Sequence, residues 1–201
     1  MDVQGLRRVF EERGVVRVKL AGIDVDGVLR GKYVSLEKFY SAAEEGFGFC
    51  DVIFGWDSSD RLYDNVGFTG WHTGYPDAVA RVDLSTARFV PWEGGVALFL
   101  VDFFDRNQSP LVVSPRQLLR RVGQRAEAMG FAPRMAAEYE FFVFRETPHS
   151  LRDKGYKNAK PLSPGMFGYS ILRTSASAEL VGALVQNHKT YFERCGSSSQ
   201  P

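Results

Sequence analysis

Cysteine is scarce in this chain: two residues in 201, Cys50 and Cys195, far apart in sequence. Two cysteines make neither a disulfide framework nor a zinc site, and they fit reduced thiols in a cytosolic protein. Charge of one sign is lacking as well, since 25 Lys and Arg face 24 Asp and Glu for a net +1. No global field therefore points to nucleic acid or to an anionic membrane. Long apolar runs are absent too, and the opening stretch MDVQGLRRVFEERG carries charges throughout, so it reads as neither a signal peptide nor a membrane span. The expectation is a cytoplasmic globular protein without nucleic-acid or membrane partners. Histidine is also rare, and the three present (His72, His149 and His188) match no metal-ligand spacing, so none is assigned to a site.

What the chain does have is a hydrophobic content of 44%, enough to pack one large domain or two small ones. Residues 3–13 have the spacing of a short amphipathic helix. VVRVKLAGIDVDGVLRGKYV then alternates around Asp26-Gly27, a turn dipeptide, and predicts a hairpin in which Arg30 and Lys32 are ordinary strand residues. Ser35 is placed to cap a helix over LEKFYSAAEE, with Gly46 ending it in a left-handed conformation. FGFCDVIF reads as a strand. Residues 55–76 lose all periodicity, and a loop of that length suggests function. AVARVDL, ARFVPW and VALFLVDFF are strand candidates, and residues 105–113 carry turn chemistry suited to a linker.

Ser114 and Pro115 then start a helix that runs to Gly130. The basic residues Arg116, Arg120, Arg121 and Arg125 fall on it at helical spacing, the pattern of a solvated face. After it comes MAAEYEFFVF, residues 135–144, apolar on both faces if it is a strand, yet carrying Glu138 and Glu140 on one face. Two readings stay open for this pair. Buried, the carboxylates need a base or a hard divalent cation as partner; at a strand end they simply reach water. Further on, the spacing of SAELVGALVQN predicts a helix.

Taken in order, DVDGVLRGKYV, FGWDSSD, SPRQLLRR, AAEYEFFVF and GMFGYSILRTS resemble the N-terminal part of a glutamine synthetase family member. The resemblance implies an α+β fold: a β-grasp-like N-terminal domain over residues 15–104, then the start of the family's catalytic α+β domain over 111–187. Residues 188–201 diverge from the family and are expected to be a disordered tail. It also implies that Glu138 and Glu140 are ligands for Mg²⁺ or Mn²⁺ beside ATP. The family reaction joins the γ-carboxylate of glutamate to ammonia or another amine through a γ-glutamyl phosphate.

By the same resemblance Asp57 corresponds to the Asp of an Asp-Gly-Ser-Ser loop that binds the ammonium and takes its proton, with Ser58 and Ser59 behind it in the substrate loop. The family's glycine is missing, because position 58 is serine. Family members form rings in which one subunit's N-terminal domain completes its neighbour's active site, so a homo-oligomer or a mixed ring is expected. The family's catalytic domain continues well past the residues present here. The chain is therefore expected to be a fragment inactive alone, or else a short non-catalytic paralogue that binds full-length rings.

Overall fold

The alternating runs on either side of Asp26-Gly27 do form a hairpin. In the computed structural model, which describes residues 2–163, 165 and 169–192, β1 (Arg17–Ile23) and β2 (Leu29–Ser35) pair antiparallel from Arg17↔Ser35 to Ile23↔Leu29. Gly27 takes φ +83° at the turn, where a side chain would be strained. Helix α1 (Val3–Glu12) is capped by the Asp2 carboxylate, and α2 (Leu36–Glu45) by the Ser35 hydroxyl. Gly46 ends α2 at φ +78°, ψ −173°, more extended than a left-handed cap.

Strands β3 (Phe47–Cys50), β4 (Asp77–Val82), β5 (Arg88–Phe89) and β6 (Val96–Phe104) complete a six-stranded sheet. Its order is β2-β1-β6-β4-β3, with β5 also on β6, and β1 with β6 is the parallel pair. The stretch expected to be one strand over FGFCDVIF turns after Cys50 into a short 3-10 helix, Asp51–Phe54. That turn launches the long loop, residues 55–76.

Alternation along β6 sends Ala97, Phe99, Val101 and Phe103 to one face, where all are buried. Phe10 of α1 and Phe39 of α2 meet Phe99 there, with ring centroids 6.2 and 4.8 Å away. Val18 and Leu20 of β1 join the same core. Gly22 keeps that packing possible, since a β-carbon there would sit 2.4 Å from the Phe103 ring.

Asp102 lies on the opposite face of β6, and there the third helix, α3 (Pro115–Ala128), docks. The contact is ionic. Arg116 reaches Asp83 at 2.6 Å and meets Asp102 at 2.6 Å without hydrogen-bond alignment, and Arg120 bonds Asp102 at 2.8 Å. Burial pushes the Asp83 carboxyl up, but hydrogen bonds from Ser85 and Arg116 outweigh it and leave it below its ordinary value. The solvated basic face expected of this helix is thus corrected for Arg116, which turns toward the sheet, while Arg120 bonds Asp102 yet stays exposed, as do Arg121, Arg125, Leu118, Leu119 and Val122. Two acidic residues on a strand and a 3-10 cap are what turned the helix. Arg116→Ala would leave the mostly buried Asp83 and Asp102 with Arg120 as their one cation and should cost about 2 kcal/mol, between a surface and a buried ion pair. Urea unfolding followed by circular dichroism checks this, and a cost near zero would contradict the anchoring.

Chain contacts divide the protein into two units, residues 1–133 and 134–201. The second contains α4 (Pro148–Asp153), α5 (Ile171–Ala176) and α6 (Ala178–Phe192). No described helix is long and apolar enough to cross a membrane. Helix α6 extends through Phe192 into the stretch expected to be disordered, and the rest of that tail, with Met166, Phe167 and Gly168 of the GMFGYSILRTS motif, lies outside the described residues.

Candidate functional site

The Asp57 loop is built from both of its ends. Trp56 and Leu62 form an isolated antiparallel bridge, Tyr63 N–H donates to the Gly55 carbonyl, and Asp57 N–H donates to the Arg61 carbonyl. The residues between are closed by the Asp57 side chain, whose Oδ1 accepts from the backbone N–H of Ser59 at 2.8 Å and of Arg61 at 3.0 Å. These two bonds, Arg61's first, hold the Asp57 carboxyl below its ordinary value, and the Arg61 and Arg30 charges add to them. Asp57 is half-buried, and among the described residues no donor reaches its Oδ2. One carboxylate oxygen is committed to the loop and the other is left uncommitted.

The missing glycine does not disturb this geometry. The loop's left-handed residue is Asp60, at φ +63°, and Ser58 is not among the positive-φ positions. Aspartate tolerates that region better than most residues. Ser58 contributes its backbone N–H, which donates to Asp26 Oδ2 at 2.8 Å, and Ser59 contributes the N–H to Asp57. Both serines therefore act here through main-chain groups.

The loop rests on the β1–β2 turn through residues the sequence reading passed over. Asp24, fully buried, accepts from the backbone of Asp26 and Val28 and from Arg30 Nε at 2.7 Å. Arg30 then reaches Asp60 Oδ1 at 2.5 Å and the Asp57 carbonyl at 3.1 Å, and its guanidinium lies 5.0 Å from the Trp56 ring. At the loop's far side, Thr69 donates to the buried Asp51 carboxylate at 2.5 Å. Burial raises the Asp51 carboxyl, with the Thr69 bond opposing that shift and the nearby Asp77 charge adding to it. No local periodicity marked these residues, and Arg30 read as an ordinary strand residue.

Glu138 and Glu140 are placed differently from the expectation. Residues 131–143 form no strand, and both glutamates are exposed, without a hydrogen bond or ion pair among the described residues. The reason is the lack of neighbours. A strand needs paired backbone groups, and the ladder here is reduced to the bridge Phe144↔Pro161 with the bond from Leu162 N–H to the Val143 carbonyl. Met135, Tyr139, Phe141 and Phe142 stay exposed as a result. As donors, two carboxylates suit a hard cation. Their number falls short, since no group of three or more His, Cys, Asp or Glu side chains among the described residues is arranged to hold a metal.

Beyond this segment, Glu146 organises the α4 turn. Its carboxylate accepts from Lys154 Nζ at 2.5 Å, Ser150 Oγ at 2.6 Å and the Lys160 backbone at 2.8 Å, which lowers its pKa from 4.5 to about 2. A carboxylate depressed in the fold stabilises it fully above the unfolded value and loses that contribution as pH falls through the folded one. Protection of the Lys160 amide from hydrogen exchange should therefore decline between pH 4.5 and about 2. Glu146→Gln should remove that dependence, and an unchanged pH profile in the variant would show that another group controls the turn.

The family model described as glutamine synthetase, catalytic domain, matches residues 112–192. A type-1 glutamine synthetase 2 of Dictyostelium discoideum is 52% identical over 169 residues, covering 84% of this chain and 32% of its own length. A glutamate–isopropylamine ligase of a Pseudomonas species is 36% identical over 88% of this chain and 39% of its own. A γ-glutamylethanolamide synthetase of Streptomyces coelicolor is 30% identical over 87% and 38%. A solved structure of ligand-free GmaS aligns over 92% of this chain and 39% of its own with TM-score 0.50 and 18% identity, a likeness of fold alone. The chain thus spans between 32% and 39% of the length of these relatives.

Proposed function

The chain belongs to the glutamine synthetase family, and from that premise we propose that it serves ATP-dependent joining of the γ-carboxylate of glutamate to ammonia or another amine. The observation that carries this reading is the Asp57 loop. It presents a half-buried carboxylate, kept ionised by two backbone N–H groups, with one oxygen available to a cation. The names of the relatives, which include an isopropylamine ligase and an ethanolamide synthetase, favour a primary amine as readily as ammonia.

In the proposed sequence the glutamate γ-carboxylate attacks the terminal phosphorus of ATP, releasing ADP and leaving a γ-glutamyl phosphate. The amine nitrogen then attacks the acyl carbon and phosphate departs. Asp57 Oδ2 holds the protonated amine and takes its proton, since the ammonium form has no lone pair. Closing a water-poor site around the carboxylate would raise its basicity above that of the open loop. Glu138 and Glu140 are proposed as two of the ligands for Mg²⁺ or Mn²⁺, which when bound neutralises phosphoryl charge. Other ligands must come from residues outside the described set. The six-stranded sheet with α2 is read as the family's β-grasp domain, and a ring is its proposed assembly.

The test is a chimera of residues 1–187 continued by the part of the Dictyostelium relative beyond the aligned region. Phosphate release with ATP, Mg²⁺ or Mn²⁺, glutamate and a panel of amines should be sustained in the chimera and absent from the 201-residue chain alone. A folded chimera that releases no phosphate with any amine would overturn the ligase reading. Turnover by the chain alone would show that two carboxylates suffice.

A second reading has its own observation. Phe131, Met135, Tyr139, Phe141 and Phe142 are all more than half exposed, which suits association with full-length family members without catalysis. Co-purification with the full-length Dictyostelium relative, and a change in that protein's activity on addition, would favour it.

A further inference from the structure

Asp57 can act only if its loop holds still, and besides the bond from Ser58 N–H to Asp26 Oδ2 one side chain, Arg30, ties the loop to the β1–β2 turn at several points. The fixed end is Asp24, which has no exposed surface and whose Oδ1 is tied to the turn backbone through Asp26 N–H and Val28 N–H. Its Oδ2 takes Arg30 Nε at 2.7 Å, which orients the guanidinium plane. The two terminal nitrogens then part. Nη1 bonds Asp60 Oδ1, and Nη2 bonds the carbonyl of Asp57 itself. The same group faces the Trp56 ring. One planar cation thereby touches the residues before and at the carboxylate and the left-handed residue after it.

We propose that Arg30 is the positioning residue of the Asp57 loop, a latch that fastens the candidate amine-binding carboxylate to the β1–β2 turn. The inference rests on the reading of Asp57 as the amine site, but the latch itself is a property of this chain. Arginine is required for geometric reasons. Three acceptors in different directions need the guanidinium fork, and a lysine ammonium can replace its charge but cannot keep the three bonds and the ring contact at once. The latch also accounts for the left-handed Asp60, whose strained backbone is retained because its side chain is held from outside the loop.

The experiment uses the 201-residue chain and needs no turnover. Amide exchange is measured for Arg30→Gln and Arg30→Lys beside the parent, with Trp56 fluorescence read in a background where Trp71 and Trp92 are phenylalanine. Arg30→Gln should speed exchange at the Ser59 and Arg61 amides about tenfold or more, while amides of β1 and β6 keep parent rates, the pattern of local rather than global opening. Trp56 emission should shift with loss of the cation over its ring. Arg30→Lys should recover only part of either signal. Parent exchange rates at Ser59 and Arg61 in Arg30→Gln would overturn the proposal. So would equal acceleration of loop and strands, which would make Arg30 a general stabiliser, and so would full recovery by lysine. None of these outcomes depends on ligase activity, so a failed chimera and a failed latch are told apart.

Discussion

Phe99→Ala will unfold the first unit about 15 °C below the parent, from a loss of about 4 kcal/mol. The ring has no exposed surface, and it is where α1, α2 and the sheet converge, with Phe39 4.8 Å and Phe10 6.2 Å away. Removing it deletes the transfer energy of a whole aromatic side chain and leaves a cavity between three elements. These cannot all close on it, because β6 is pinned by β1 at Leu20↔Phe99 and by β4 further along. A domain of this size has about 5–15 kcal/mol in total, so one substitution removes a large share. Phe142→Ala is the paired control. Phe142 is 69% exposed, and its loss should change stability by less than about 0.5 kcal/mol. Thermal melts followed through Trp56 report on the first unit, and a shift below about 3 °C for Phe99→Ala would mean that the core closes over the gap.

In the chimera, Asp57→Asn should lower amine-dependent amide formation about 10²-fold or more while sparing the ATP- and glutamate-dependent step before it. Asparagine keeps the shape, and its carbonyl oxygen can still accept from Ser59 and Arg61, so the loop should remain closed. What goes is the negative charge that holds a protonated amine and the base that receives its proton. The split between two half-reactions makes the test specific. Equal loss of both would point to a misplaced loop, and no loss of either would remove Asp57 from the chemistry. Because the carboxyl of the open loop sits below its ordinary value, kcat/KM for the amine, which reports the free enzyme, should persist to lower pH than an unassisted aspartate would allow. A pH profile of the chimera with its natural Asp57 shows this as an acid limb displaced downward.

Legibility differed sharply between parts of the molecule. The hairpin around Asp26-Gly27, the Ser35 cap and strand β6 were readable, because turn chemistry, capping and period-two alternation are local properties. Helix α3 was readable as a helix but not as to its orientation. Its leucines and arginines are both at helical spacing, and only Asp83 at a 3-10 cap and Asp102 on β6 decide that Arg116 and Arg120 reach toward the sheet. MAAEYEFFVF has the composition of a strand, and composition cannot supply partner strands. Among the described residues it pairs only at Phe144, so Glu138 and Glu140 remain in water.

The sequence by itself pointed to the family and determined the hairpin, the Ser35 cap and strand β6, since each is written in contiguous residues. The tertiary structure decided what holds that loop. Arg30 is an unremarkable strand residue until the turn brings it against Asp57 and Asp60, 27 and 30 positions away. Contacts at such separation leave no trace in local periodicity, because they are fixed by how strands register and where a loop folds back.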